Sequence, residues 1–376
     1  MRRCGVLIAA VLIIWASVGT IPLSAQAPIE SELVLITPVS KFVVDASLSA
    51  FTEYAKQKWG VTVKASATHE GTPTCYGKIV EWKGRPQADI FWGGESALFD
   101  SLADQKLLVK LDLPRGTWES VAPSIGEPVR LPMKDPRGFW VGTALEPYGL
   151  VWHPKLLKRL GVDDIKDWDD LLNPKLKGWI AQCTPDRSSS NHASYEVILQ
   201  MYGLEKGWEW LEKLAANTGQ FVARSRDVPS VVAKGEYAVG FAVPSYMAFE
   251  EVVAGYDLRF VAPTACFVTP EPMAILAGCK NPKAAKAFVE FLLTEQGQRV
   301  FMERGLFSVS PKYRVEGAPG SIVEKAVEFT GGIRSYFDAP IRNIYDDKVA
   351  QERYSEVNDV FRKRILERHE ELKKKY

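Results

Sequence analysis

The sequence predicts an α/β fold whose sheets are largely parallel. Two observations carry that expectation. Strand-like and helix-like segments alternate from about residue 32 to beyond residue 100. A chain of 376 residues, 46% hydrophobic and 25% charged, is also long enough for two such layered units.

The elements follow in order. "ELVLITPV" (32–39) reads as a strand ending at Thr37-Pro38. "KFVVDASLSAFTEYAKQKWG" (41–60) has apolar residues near helical spacing and ends on Gly60, a helix-stop signal. "VTVKAS" (61–66) and "QADIFWGG" (87–94) are further strands, and "ESALFDSLADQKLLV" (95–109) is a helix. In such sheets ligands sit beyond the carboxyl ends of the strands, which singles out the loops 37–40, 68–76 and 93–96. A second unit begins after "FWVGTALEPYGLVWHP" (139–154) with a helix, a tryptophan-bearing linker and the strand before Cys183. The helical stretch 192–217 breaks near Gly203. "GQFVARS", "SVVAKGE" and "YAVGFAVPSYMAFEEVVAG" then supply strand, helix, strand and helix. "LRFVAPTACFVTPEPMAILAG" (258–278) is extended and punctuated by proline, and 281–305 is one strongly amphipathic helix. The charged stretch 349–376 reads as a helix with a solvated face whose basic end suits the negative end of its dipole.

The first 27 residues have Arg2 and Arg3, an apolar run to about Val18, and Ala25-Gln26-Ala27. This is the layout of a secretory signal cleaved after Ala27, and its apolar run is short for a membrane span. Export in soluble form to a periplasm is the expectation. Loss of Arg2 and Arg3 moves the formal charge from +1 to −1 over the remaining 349 residues, which argues against a nucleic-acid partner. Cys75, Cys183, Cys266 and Cys279 remain; they allow three disulfide pairings and lack zinc-site spacing.

The stretch "PDRSSSNHASYE" (185–196) gathers more polar groups at a helix start than a cap requires. One serine suffices for a cap. Ser188, Ser189 and Ser190, with Arg187 before them and His192 after, form a donor-rich site at the positive end of a helix dipole, where anions bind. Arg187 either adds a charge-assisted bond or faces solvent, and Asp186 either caps the helix or orients Arg187. His192 is a neutral donor or a helix-surface side chain. Thr72 and Thr74 stand in a turn after a strand, Gly94 with Gly93 lets backbone approach a ligand, and Glu95 caps the next helix or touches the ligand. Arg224 follows a strand and is an anion partner or half of a structural ion pair. Ser245 and Tyr246 end another strand, Tyr246 as cargo contact or wall. Glu271 in "TPEPM" binds a hydroxyl or amine of the ligand, or fixes a hinge, and Tyr148 has the same two readings.

Four stretches, "GRPQADIFWGGESALFDSLADQKLL" (84–108), "DRSSSNHASYEVILQMYGLEKGWEWLEKLAANTGQF" (186–221), "ARSRDVPSVVAKGEYAVGFAVPSY" (223–246) and "PEPMAILAGCKNPKAAKAFVEFLLTEQGQ" (270–298), carry a resemblance. The chain resembles the type 2 periplasmic solute-binding proteins of ABC importers, in the branch that takes ferric iron, sugar phosphates or phosphonates. The resemblance implies two lobes with a ligand cleft between them, closing by hinge motion and delivering cargo to a membrane permease. It implies a first lobe over 28–142 and from about 271–273 onward, including the C-terminal helices, and a second lobe over about 143–270, with crossings near 143–148 and 269–273. The expected cargo is a small carboxylated or phosphorylated organic anion bound by a monomer without catalytic residues, cofactor or resident metal. Ferric iron is the alternative. Iron-binding relatives commonly present two adjacent tyrosines, and this chain has Ser245-Tyr246 at the corresponding place and no Tyr-Tyr pair. An exported hydrolase is a reading from another class, but the chain has no G-x-S-x-G elbow. A ligand-loaded sensor subunit would use the same fold.

Overall fold

The computed structural model describes residues 29–376 other than 264, 315 and 339–341, without the side chains of Ser189 and Ser190. The signal segment expected at 1–27 lies outside the described residues. Two six-stranded sheets, each covered by helices, form two lobes.

The first sheet runs in the order Lys64–His69, Glu32–Thr37, Ile90–Trp92, Pro272–Leu276, Leu108–Val109. Its first three strands are parallel, while Pro272–Leu276 returns antiparallel and also pairs with Val141–Gly142. Helix Lys41–Trp59 links the first two strands and ends as its Gly60 signal predicts, in a left-handed residue whose N–H reaches the Lys56 carbonyl at 3.0 Å. It packs Phe51 edge-on against Phe288 at 5.1 Å between ring centroids. Emptying that fully buried position would cost about 3–5 kcal/mol. Asp89 fixes the returning leg: its carboxylate accepts from the backbone N–H groups of Val34, Lys280 and Asn281 at 2.8–3.1 Å.

The second sheet runs Thr218–Val222, Ile180–Cys183, Val239–Pro244, Glu146–Trp152, Arg259–Val261, with Val268–Thr269 also on Glu146–Trp152. Its first three strands are parallel and the others antiparallel. The helical stretch before it breaks where Gly203 stands, into Ser189–Tyr202 and Leu204–Asn217.

Three expectations are corrected. Residues 72–82 form a helix, not a turn: Thr72-Pro73 supplies a proline in its first turn, and Cys75 and Ile79 give it a buried face. The amphipathic run after Asn281 is two helices, Pro282–Leu292 and Glu295–Met302, because Thr294 leaves the helix and its hydroxyl caps the Gly297 N–H at 3.2 Å. The chain after about residue 320 does not stay with the first lobe. Ile322–Phe329 stacks Phe329 on Phe260 and packs it at a tilt against Phe249, both of the second lobe. The C-terminal helices pack Phe361 on Tyr195, and their basic side chains serve buried acids there. Arg353 pairs with Glu196 at 2.5 Å and Arg364 with Glu212 at 2.7 Å. Those charges fix the tail to the lobe instead of forming only a solvated face.

All four cysteines among the described residues are free thiols, three of them buried. No helix among the described residues is long and apolar enough to cross a membrane.

Candidate functional site

Two chain crossings join the lobes and lie side by side. The Thr143 N–H donates to the Pro270 carbonyl at 2.9 Å, and its hydroxyl donates to the Glu271 carbonyl at 2.8 Å. The Trp92 indole N–H donates to that hydroxyl at 3.0 Å, tying the crossings to the end of a first-lobe strand. Glu271 itself has a left-handed φ of 47°, a conformation that is costly for a residue with a Cβ and is held here by the surrounding bonds.

Beside these crossings lies a cavity of about 300 Å³, at the small end of the range for small-molecule sites. The first lobe contributes Pro38, Val39, Gly71, Thr72, Gly94 and Glu95. The second contributes Asp186, Arg187, Ser188, Arg224 and Tyr246, and the crossings contribute Glu146, Tyr148, Thr269 and Glu271. Phe267 and Tyr354 complete an aromatic wall.

The helix starts explain why these residues meet. Gly71 precedes helix Thr72–Trp82, Glu95 precedes Ser96–Asp104, Ser188 precedes Ser189–Tyr202, and Tyr246 lies in the first turn of Ser245–Val253. Each strand-to-helix turn at the carboxyl end of a sheet therefore delivers a helix N-terminus to the cavity. Unsatisfied N–H groups and the positive dipole end make such turns favourable for an anion. Gly94 allows the close approach on the first-lobe side: at its φ of 105° a Cβ would sit 2.6 Å from Thr72 Cγ2.

Of the residues singled out from sequence, Thr72, Gly94, Glu95, Arg187, Ser188, Arg224, Tyr246 and Glu271 line this cavity. Ser188 also caps its helix, its hydroxyl accepting from the Asn191 N–H at 3.4 Å. Arg187 is exposed and lies 3.7 Å from Asp186, while the exposed Arg224 pairs with Asp227 at 3.0 Å. Glu95 occupies a helix N-cap position but makes no side-chain cap bond. Ser189 and Ser190 open helix Ser189–Tyr202.

Three expected contacts are displaced. Thr74 is exposed on the helix surface away from the cavity. Ser245 is buried and its hydroxyl donates to the Gly305 carbonyl at 2.8 Å, holding the helix start in place. His192 is buried beneath Tyr354, ring on ring at 4.0 Å, and its Nε2 lies 3.3 Å from the Tyr354 carbonyl oxygen. Burial lowers its pKa, so it packs as a neutral ring behind the wall.

The sequence reading missed Glu146 as a site residue. Its signal was present: a single acid inside the apolar run 139–152, on a strand buried at every position. Glu146 and Glu271 are both buried and close enough to share a hydrogen bond. Burial pushes both carboxyls up, and the Glu271 charge raises Glu146 further, so Glu146 holds the proton and Glu271 accepts from it. The Tyr148 hydroxyl donates to Glu146. Phe267 and Tyr354 carried no local signal, since only the fold brings them to the cavity.

A family profile described as bacterial extracellular solute-binding protein matches residues 33–307. The chain belongs to that family. Its members are periplasmic binding proteins that work with ABC transporter permeases. An uncharacterised protein of Haemophilus influenzae is 26% identical over 287 residues, 75% of this chain and 78% of that protein. Among solved structures, the periplasmic binding protein AfuA from Actinobacillus pleuropneumoniae, with fructose-6-phosphate bound, has a TM-score of 0.67 at 22% identity. The match covers 89% of this chain and 99% of AfuA. Iron-bound HitA from Pseudomonas aeruginosa has a TM-score of 0.62 at 21% identity, covering 88% and 99% of the two chains. Both are two-lobed binding proteins of the same fold as this chain.

Proposed function

We propose that this chain captures a small organic anion, phosphorylated or carboxylated, in the periplasm and delivers it to an ABC permease. The observation that carries this reading is the convergence of four helix starts on one cavity, with Arg187 and Arg224 at its edge. In this reading the protein is an exported monomer, its signal cleaved after Ala27. The crossings near 143–148 and 269–273 act as the hinge between a first lobe (28–142 with the returning leg) and a second (143–270 with the chain after about residue 320). The solute is bound and released without a bond being made or broken, so no catalytic group, cofactor or resident metal is required.

Both cargo chemistries occur on this fold, a sugar phosphate in AfuA and iron in HitA. An organic anion is favoured here by Tyr246. Burial and the nearby carboxyls of Glu146 and Glu271 hold its phenol well above the ordinary range, against the tyrosinate that ferric iron needs, and its sequence neighbours are Ser245 and Met247, not a second tyrosine.

The test is native mass spectrometry of gently purified protein, followed by solution scattering and melting with the solute found. An organic anion is expected, with a smaller radius of gyration on binding. At a hundred times Kd, linkage adds about 2.7 kcal/mol of stability. A stoichiometric coloured complex with ferric citrate, abolished in Tyr246→Phe, would put iron in its place. A tight ligand that leaves the open shape unchanged would refute the hinge.

A further inference from the structure

The cavity that the helix starts make favourable for an anion also holds acids. Glu95, Asp186, Glu146 and Glu271 line it against two arginines, each of which already has an acidic neighbour. A cavity built for a plain anion has no use for two carboxyls at its floor. Glu146 is only 2% exposed, its Oε1 has no hydrogen-bond partner, and it belongs to the cavity lining. Leaving such an oxygen unpaired is costly unless a ligand completes it. The residues around the pair are aromatic: Tyr148 packs against Phe267 with centroids 5.1 Å apart and the rings tilted by 45°, with Tyr246 and Tyr354 alongside in the lining. Buried carboxyl oxygens within aromatic walls suit a compact cation, which gains both ion pairing and cation–π attraction.

We propose that the solute is zwitterionic, with its anionic group at the helix starts and an ammonium group between Glu146 and Glu271. This rests on the anion-binding reading above and narrows it to a short amino-alkyl phosphate, phosphonate or carboxylate. Binding has a proton balance. The apo pair carries one proton and one negative charge; the arriving ammonium replaces the proton, which passes to solvent, and two carboxylates then face one cation. The titratable and charged groups that face the pair are Tyr148 on the strand of Glu146 and Tyr246 from helix Ser245–Val253, with the charges of Arg226 and Glu250 acting on Tyr246. Glu95, Asp186, Arg187 and Arg224 stand at the cavity edge.

The experiment is calorimetry on the mature protein with matched probes. Phosphoethanolamine is set against propyl phosphate, and 4-aminobutanoate against pentanoate, each pair differing by an ammonium in place of a methyl. One amino probe should bind at least tenfold more tightly than its isostere and, across two buffers of different ionisation enthalpy, release up to one more proton. Glu271→Gln should shrink the ratio within that pair to below about threefold and remove the extra proton, a readout that a packing defect would not produce. Equal binding of amino probe and isostere would overturn the zwitterion and leave the anion reading standing. Failure of all four probes to bind would overturn both.

Discussion

The two arginines at the cavity edge and the two glutamates at its floor are opposite in more than charge. Arg187 and Arg224 have side chains 62% and 71% exposed, on turns that end second-lobe strands. Glu146 and Glu271 are buried on the crossings, next to Thr143, whose hydroxyl and backbone bond both crossings together. In the proposed hinge closure the edge would move with its lobe and re-pair as the cleft closes. The floor is already fixed. A binding protein that closes by hinge motion needs this asymmetry, because only contacts that improve on closure shift the equilibrium toward the closed state. Preformed groups at the hinge can select the solute before closure without opposing it.

The largest effect should come from removing the movable edge. In Arg187→Ala/Arg224→Ala, two charge-assisted hydrogen bonds worth about 1.5–3 kcal/mol each are lost from the closed state. Arg224 must share itself with Asp227 and Arg187 with Asp186, so the lower end applies and affinity should fall about a hundredfold. The apo protein should melt as before, since both side chains are exposed and their pairs contribute little to stability. Calorimetry with the identified solute measures the first and a thermal melt the second. Unchanged affinity would mean that the arginines stay paired to their own aspartates and that helix N–H groups alone hold the anion.

A smaller effect is expected at the helix start between edge and floor. Ser189→Ala/Ser190→Ala removes two neutral hydrogen bonds, each worth about 1 kcal/mol, hence roughly tenfold or greater weakening. The fold should survive because Ser188 supplies the cap. Unchanged affinity with a normal apo melt would reduce "RSSSNH" to a capped turn.

How much of this was legible beforehand follows the same division. The sheets and most helices could be read because their patterns are local: Gly203 breaks one helix, Gly60 stops another, and the doubled glycines after "DIFW" mark a turn. The cavity edge was legible for the same reason, since donors at a helix start announce themselves in consecutive residues. The hidden parts depend on contacts between distant residues. His192 looked like a donor until Tyr354, 162 positions later, covered it. The C-terminal helices looked solvated because their partners, Glu196 and Glu212, lie more than 150 positions away. Glu146 and Glu271 are separated by the whole second lobe, so neither sequence context reveals that they share a proton. The turn read around Thr72 and Thr74 failed for a different reason: a four-residue turn and the first turn of a helix look alike until the buried face beyond them is counted.

The smallest effect concerns the floor without ligand, and its sign follows from the raised carboxyls. Glu146 is neutral in the folded protein over a range where the unfolded chain, with a carboxyl pKa of about 4.3, has already lost the proton. The folded state therefore binds the extra proton. Stability associated with Glu146 is fully present below about pH 4 and is lost as pH rises through the folded pKa, by up to about 1.4 kcal/mol per pH unit. Glu146→Gln keeps a donor for the Glu271 carboxylate and an acceptor for the Tyr148 hydroxyl, and removes that proton uptake. The variant should melt about 2 °C or more above the wild type at pH 8, with the difference fading toward pH 4. Melting by circular dichroism across that range, on ligand-free protein, reads the sign directly. A variant less stable than wild type at pH 8 would mean that an ionised Glu146 holds the crossings together. The floor would then be a structural ion site, and the asymmetry between a movable edge and a proton-bearing hinge would be lost.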